Sequence, residues 1–88
     1  MAEISVTRES AERFHVTIRE GDASTEHTVT LTSADHERLG DGHRSPEEVV
    51  RAAFEFLLER EPKESILSSF DLTVIGHFFP EFERRIRG

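Results

Sequence analysis

Five histidines, a Gly-x-Gly run and 18 carboxylates are the groups in this 88-residue chain that could do chemistry. His36, Asp41 and His43 lie close together with Asp35 beside them, a nitrogen and oxygen set of the kind zinc accepts. They straddle a glycine-containing loop, and no HxxxH or HExxH spacing puts two of them on one helix face. The residues therefore read as a solvated loop, and no metal site is assigned. His27 shares the parity of Val29 and Leu31, which places it at the edge of a buried sheet face as a hydrogen-bonded histidine rather than a catalytic base. His15 and His77 carry no signal beyond their polarity.

Gly40-x-Gly42 lacks the third glycine of a dinucleotide fingerprint and the GK[ST] of a phosphate loop, so no cofactor is expected. The run does lead into a helix opened by Ser45, with Arg44 alongside. Gly42, Arg44 and Ser45 are thus the candidate anion-binding residues, because a helix amino end presents free N–H groups to negative charge. There is no GxSxG and no cysteine, hence no nucleophile motif. No pair of carboxylates has a separation that can be inferred across the fold. No catalytic residue is assigned, and an enzyme has no motif behind it.

The elements that must position these groups follow from periodicity. Ile4 and Val6, then Phe14, Val16 and Ile18, then Val29 and Leu31 alternate with polar residues, the pattern of half-buried strands. Glu20-Gly21-Asp22-Ala23-Ser24 is a turn signal. Pairing Ile18 with His27, Val16 with Val29 and Phe14 with Leu31 puts every apolar side chain on one face and sets Arg19 across from Glu26. A register two residues tighter, turning at Gly21-Asp22, keeps the same faces. Thr32-Ser33-Ala34-Asp35 reads as a cap for a short helix ending at Gly40. Ser45-Pro46-Glu47-Glu48 is a capping box with proline at the first helical position, opening a helix from Pro46 to Arg60. Its apolar residues, Val49 to Leu58, sweep about 240° of the circumference, so it must pack on at least two sides. After Pro62 a short helical turn is expected, then a helix from Phe70 to Phe79 capped by Ser69, then a break at Pro80 and a last helix to Ile86.

The expected fold is α+β, a single domain over residues 1–88. A three-stranded antiparallel meander has one face covered by a main helix at about residues 46–60 and by short C-terminal helices. With 35% hydrophobic residues in periodic runs the chain can build a core, and no apolar stretch nears the roughly 18–20 residues of a membrane span. The net charge of −7 repels phosphate backbones and anionic membranes, so neither nucleic acid nor membrane is expected as a partner. The one basic cluster, Arg84, Arg85 and Arg87, suits the carboxyl end of a helix. The opening Met-Ala-Glu-Ile-Ser-Val has no basic region followed by an apolar run, so a cytoplasmic location is expected.

All seven aromatics are phenylalanine, and four lie after residue 69. Adjacent Phe78 and Phe79 project about 100° apart on a helix. Together with the wide apolar arc of the main helix, this suggests more apolar surface than one small sheet covers. Phe56, Phe78, Phe79 and Phe82 are therefore the expected contact residues of a non-catalytic interaction module, as a homodimer or as a subunit of another assembly.

The segment Ser45-Pro46-Glu47-Glu48-Val49-Val50 through Phe54-x-Phe56-Leu57-Leu58-Glu59-Arg60-Glu61-Pro62 to Phe70-Asp71-Leu72 and Phe78-Phe79-Pro80-Glu81-Phe82-Glu83 resembles small hypothetical proteins of bacteria, a likeness that implies no activity. By pattern, residues 1–60 are similar to the HicB antitoxins, in which a three-stranded meander precedes a helix with a Pro-Glu cap. The tail after Pro62 departs from that pattern. The HicB likeness implies a regulator that masks a small basic partner with its acidic surface, and the candidate loop at residues 41–45 leaves anion or metal binding as a further alternative.

Overall fold

A computed structural model describes residues 2–40 and 44–87. Strands β1 (Glu3–Arg8), β2 (Arg13–Glu20) and β3 (Ala23–Thr30) form an antiparallel meander. The alternation read from the sequence holds: Phe14, Val16, Ile18, His27 and Val29 all point to one buried face. The β2–β3 register is the tighter of the two alternatives, with Ile18 opposite Thr25, Val16 opposite His27 and Phe14 opposite Val29. Arg19 therefore faces Ser24 instead of Glu26. The turn decides this, because Gly21 sits at φ 61°, a left-handed conformation that a two-residue hairpin needs and that glycine adopts without a steric cost.

The sheet has a fourth strand that the sequence reading missed. Ser69–Asp71 forms β4, parallel to β3, giving the order β1-β2-β3-β4. The expected helix from Phe70 to Phe79 is correspondingly shorter. Asp71 accepts hydrogen bonds from the Thr73 amide at 2.9 Å and the Thr73 hydroxyl at 2.6 Å, a local turn that ends the strand. Helix α3 then runs only Val74–Phe78. Phe79 is extended at φ −131° and ψ 90°, as the residue before Pro80 prefers, so the helix stops one residue before the proline constraint begins.

A parallel pair needs a long crossover, and here it contains α1 (Ser33–Gly40), α2 (Pro46–Leu58) and a 3-10 turn at Lys63–Ser65. Helix α4 (Phe82–Arg87) closes the chain. The Thr32 hydroxyl caps α1 by accepting from the Asp35 amide. A Cβ on Gly40 would lie 3.3 Å from Val49 Cγ2, so the bare glycine lets α1 approach α2 closely. Helix α2 lies against β1, and its Phe54 ring reaches His27 of β3 and Phe70 of β4, with centroids 5.5 and 6.0 Å apart. Its opposite side meets α4, where Phe56 packs edge-on against Phe82 at 5.2 Å. The wide apolar arc is thus enclosed on two sides, as its width requires.

Phe54 touches both β3 and β4 and is fully buried. Truncation to alanine is expected to cost about 3–5 kcal/mol, a large share of the roughly 4–13 kcal/mol available to a domain of this size. Thermal unfolding followed by circular dichroism should show the Tm of Phe54→Ala lowered by at least about 12 °C, and a wild-type melting curve would overturn this placement.

Candidate functional site

The amino end of α2 is already supplied with an anion by the chain itself. The Ser45 amide donates to Glu48 Oε1 at 2.8 Å, and the Glu48 amide donates to Ser45 Oγ at 3.2 Å. The first of these bonds, with help from the Ser45 hydroxyl, holds the Glu48 carboxyl below its ordinary 4.5. The Arg44 guanidinium turns away to donate to the Ile86 carbonyl at 3.0 Å, closing the carboxyl end of α4. Two of the three candidate anion-binding residues, Arg44 and Ser45, therefore each have a donor engaged within the chain. Gly42 lies outside the described residues, as do Asp41 and His43. His36 donates through Nε2 to the Arg44 carbonyl at 2.6 Å. Among the described residues no group of three metal-ligating side chains comes together.

His27 is 3% exposed and fully used. Its Nδ1–H donates to the Leu67 carbonyl at 2.7 Å, which leaves Nε2 to accept from the Thr25 hydroxyl at 2.9 Å. The ring therefore ties β3 to a residue 40 positions later and fixes the segment that leads into β4. His15 pairs with Glu26 on the other face of the sheet at 2.9 Å. In the basic cluster, Arg85 pairs with Glu59 at 3.3 Å and Arg87 with Glu83 at 3.8 Å.

The four phenylalanines expected at a contact surface separate. Phe56 and Phe82 are 4% and 1% exposed and belong to the core, each covering the other, so neither is at the surface. Phe79 is partly buried against Phe56, and Phe78 is 68% exposed. Phe78 and Phe79 line an open apolar groove of about 190 Å³. Buried Leu57, Ile66 and Ile75 line it as well, together with Phe70 and Leu67. Leu67 is 53% exposed, and with Phe78 it makes up the large hydrophobics exposed among the described residues. Both stand on the rim of the same groove.

Glu61 is the only charged residue lining this groove, and it has no ion-pair partner among the described residues. The neighbouring cations are engaged elsewhere. Arg60 stacks over the Phe56 ring at 3.7 Å and reaches Glu81 at 3.3 Å. Lys63, 5% exposed, bonds Glu20 at 2.9 Å and Glu64 at 2.8 Å. Those bonds, Glu64 first and Glu20 second, raise the Lys63 ammonium above its ordinary value.

Sequence reasoning missed Leu67 and Glu61. The signal for Leu67 was the adjacent pair Ile66-Leu67 in a short extended stretch, where successive side chains must point to opposite sides. No family model matches the chain, and neither a curated protein nor a solved structure matches it.

The capping box makes a pH prediction. A carboxylate whose pKa is lowered by folding stabilises the fold above its unfolded pKa, and that contribution is lost as pH falls through the folded value. Glu48→Gln should therefore melt with a shallower dependence on pH than wild type below about pH 4.5. Identical slopes would mean that the carboxylate does not cap α2. Ser45→Ala should cost about 1 kcal/mol in a denaturant titration at neutral pH, and unchanged stability would count against the cap.

Proposed function

We propose that this chain is a non-catalytic protein-interaction module that docks a partner over the groove between the Ile66–Phe70 segment and α3. The observation that carries this reading is that Leu67 and Phe78, the exposed large hydrophobics among the described residues, flank one concave apolar surface. Scattered apolar residues are ordinary on a protein surface, but two beside a groove lined by buried side chains form a contiguous patch of the kind partners cover. The groove offers shape and apolar contact, with one carboxylate to orient what binds. That chemistry suits recognition of a side chain better than bond making.

A second reading, an acidic regulator that masks a basic partner as the HicB likeness implies, is favoured by Glu61, which has no ion pair among the described residues, and by the net charge of −7. A homodimer built on the same groove is a third arrangement, in which each copy's Phe78 would enter the other's groove. No described helix is long and apolar enough to cross a membrane.

Phe78→Asp and Leu67→Asp separate docking from folding, because both side chains are largely exposed and surface changes typically alter stability by less than about 0.5 kcal/mol. Light scattering over a dilution series, with affinity capture alongside, should show an assembly or a retained protein that wild type forms and both variants lose. If wild type and variants have the same mass and retain the same proteins, the groove is not the docking surface.

A further inference from the structure

From the free edge of β4 we infer what occupies the groove: an extended, basic segment of a partner protein that adds as a fifth strand beside Ser69–Asp71. The inference rests on the docking reading above and names the occupant by its backbone geometry and charge. In the parallel β3–β4 pair, the Ser68 carbonyl accepts from the Thr28 amide at 2.8 Å and the Leu72 amide donates to the Thr30 carbonyl at 2.9 Å. Backbone groups alternate sides along a strand. Ser69 and Asp71 therefore turn their amides and carbonyls away from β3, and β4 is the last strand of the sheet.

Those groups have no backbone partner among the described residues. The Asp71 side chain does not cover them, since its carboxylate is held by Thr73. The groove lies beside this same segment, lined by Phe70 of β4 and by Val74 and Phe78 of α3. A strand hydrogen-bonded to Ser69 and Asp71 projects alternate side chains to the core side of the sheet. That side is the one where Phe70 already packs on Phe54. One such side chain enters the groove, which is how strand addition divides its work: the main chain gives affinity and a pocket selects the anchor.

Charge selects the rest. Glu61 is the charged residue of the groove, and it has no ion-pair partner among the described residues, while Arg60 and Lys63 are each bound by two carboxylates. A Lys or Arg in the added strand meets Glu61, and an acidic segment meets repulsion from it and from the chain's net charge of −7. The occupant is thus extended and basic, with one large apolar anchor.

The probe is a displayed library of random peptides about six residues long, near the usual strand length. Enriched sequences are made synthetically and titrated into the isotope-labelled full chain. The expected enrichment alternates apolar residues with Lys or Arg. The bound peptide should slow hydrogen exchange at the Ser69 and Asp71 amides, and N-methylation of its edge-facing amides should weaken binding about tenfold. Glu61→Gln should weaken it about threefold at low salt and less at high salt.

A peptide that binds at Leu67 and Phe78 but leaves the Ser69 and Asp71 amides exchanging freely overturns strand addition while the docking reading stands. Enrichment of acidic sequences overturns the basic occupant and also leaves docking in place. A dimer joined through β4, seen by light scattering and by slowed exchange at the same two amides without peptide, makes a second copy the occupant and overturns the inference. No enrichment, or binding that Phe78→Asp leaves unchanged, removes both readings.

Discussion

Helix α2 has to be enclosed, and most of the architecture follows from that need. Its apolar side chains cover about 240°, where a helix resting on one surface has a stripe of little more than 100°. One sheet face satisfies Phe54 and Val50, but Phe56 and Val49 then point away from it and are buried nonetheless. The second cover is α4, whose Phe82 and Ile86 are as buried as the sheet residues. At about 25 cal/mol per Å² of apolar surface removed from water, leaving the Phe56 side open would forfeit several kcal/mol that a small domain cannot lose. The last residues of the chain are thus part of the core.

Bringing α4 back to α2 fixes the path between them. The chain leaves α2 at Leu58, passes the 3-10 turn held by Lys63, and runs as β4 beside β3 before α3 and the Pro80 break. His27 supplies a specific tie along this path. Its imidazole bonds the Leu67 carbonyl from within the sheet and so sets the height at which Ser68 and Leu72 meet β3. With Ile66 turned into the core and the alternation of an extended chain, Leu67 is left outside. The exposed residue on the groove rim is a consequence of the same tie that registers the strand. Candidate site and fold share one cause here.

The sequence was readable wherever a period or a cap was long enough to be unambiguous. The buried face of β2 and β3 and the capping box of α2 follow directly from alternation and from Ser45-Pro46-Glu47-Glu48. The hairpin register was not decidable, because shifting by two residues keeps every side chain on its face. Only the conformation of Gly21 distinguishes the pairings. Strand β4 was invisible for a different reason. Three residues, Ser69-Phe70-Asp71, carry no period, and Ser69 also resembles a helix cap. Phe56 and Phe82 were misplaced because each is the other's cover, and residue spacing within one helix cannot say whether a distant helix returns to meet it. For the groove, the sequence offered Phe78 and Phe79 but gave no sign that Glu61 and Leu67 would join them.

The electrostatic character of the groove depends on where the chain uses its few cations. Arg38 bonds Asp35 and Glu83 and joins α1 to α4, Arg44 caps the carboxyl end of α4, and Arg60 bridges Phe56, Glu59 and Glu81. Each is committed to holding one element against another, and Arg60, whose side chain is partly buried, is the one whose interactions are strengthened relative to open solvent. The 11 basic residues are outnumbered by 18 acidic ones, so some carboxylates must remain without a counter-charge once these junctions are made. Other such carboxylates, among them Glu3, Glu9 and Asp22 in and beside the strands and Glu55 on α2, face water, where solvation screens them. Glu61 differs because the residues around it are apolar, and the low polarity of its surroundings lets its field reach a ligand with less screening. A charge surplus spread over the whole chain therefore becomes directional at this one place, beside the free edge of β4.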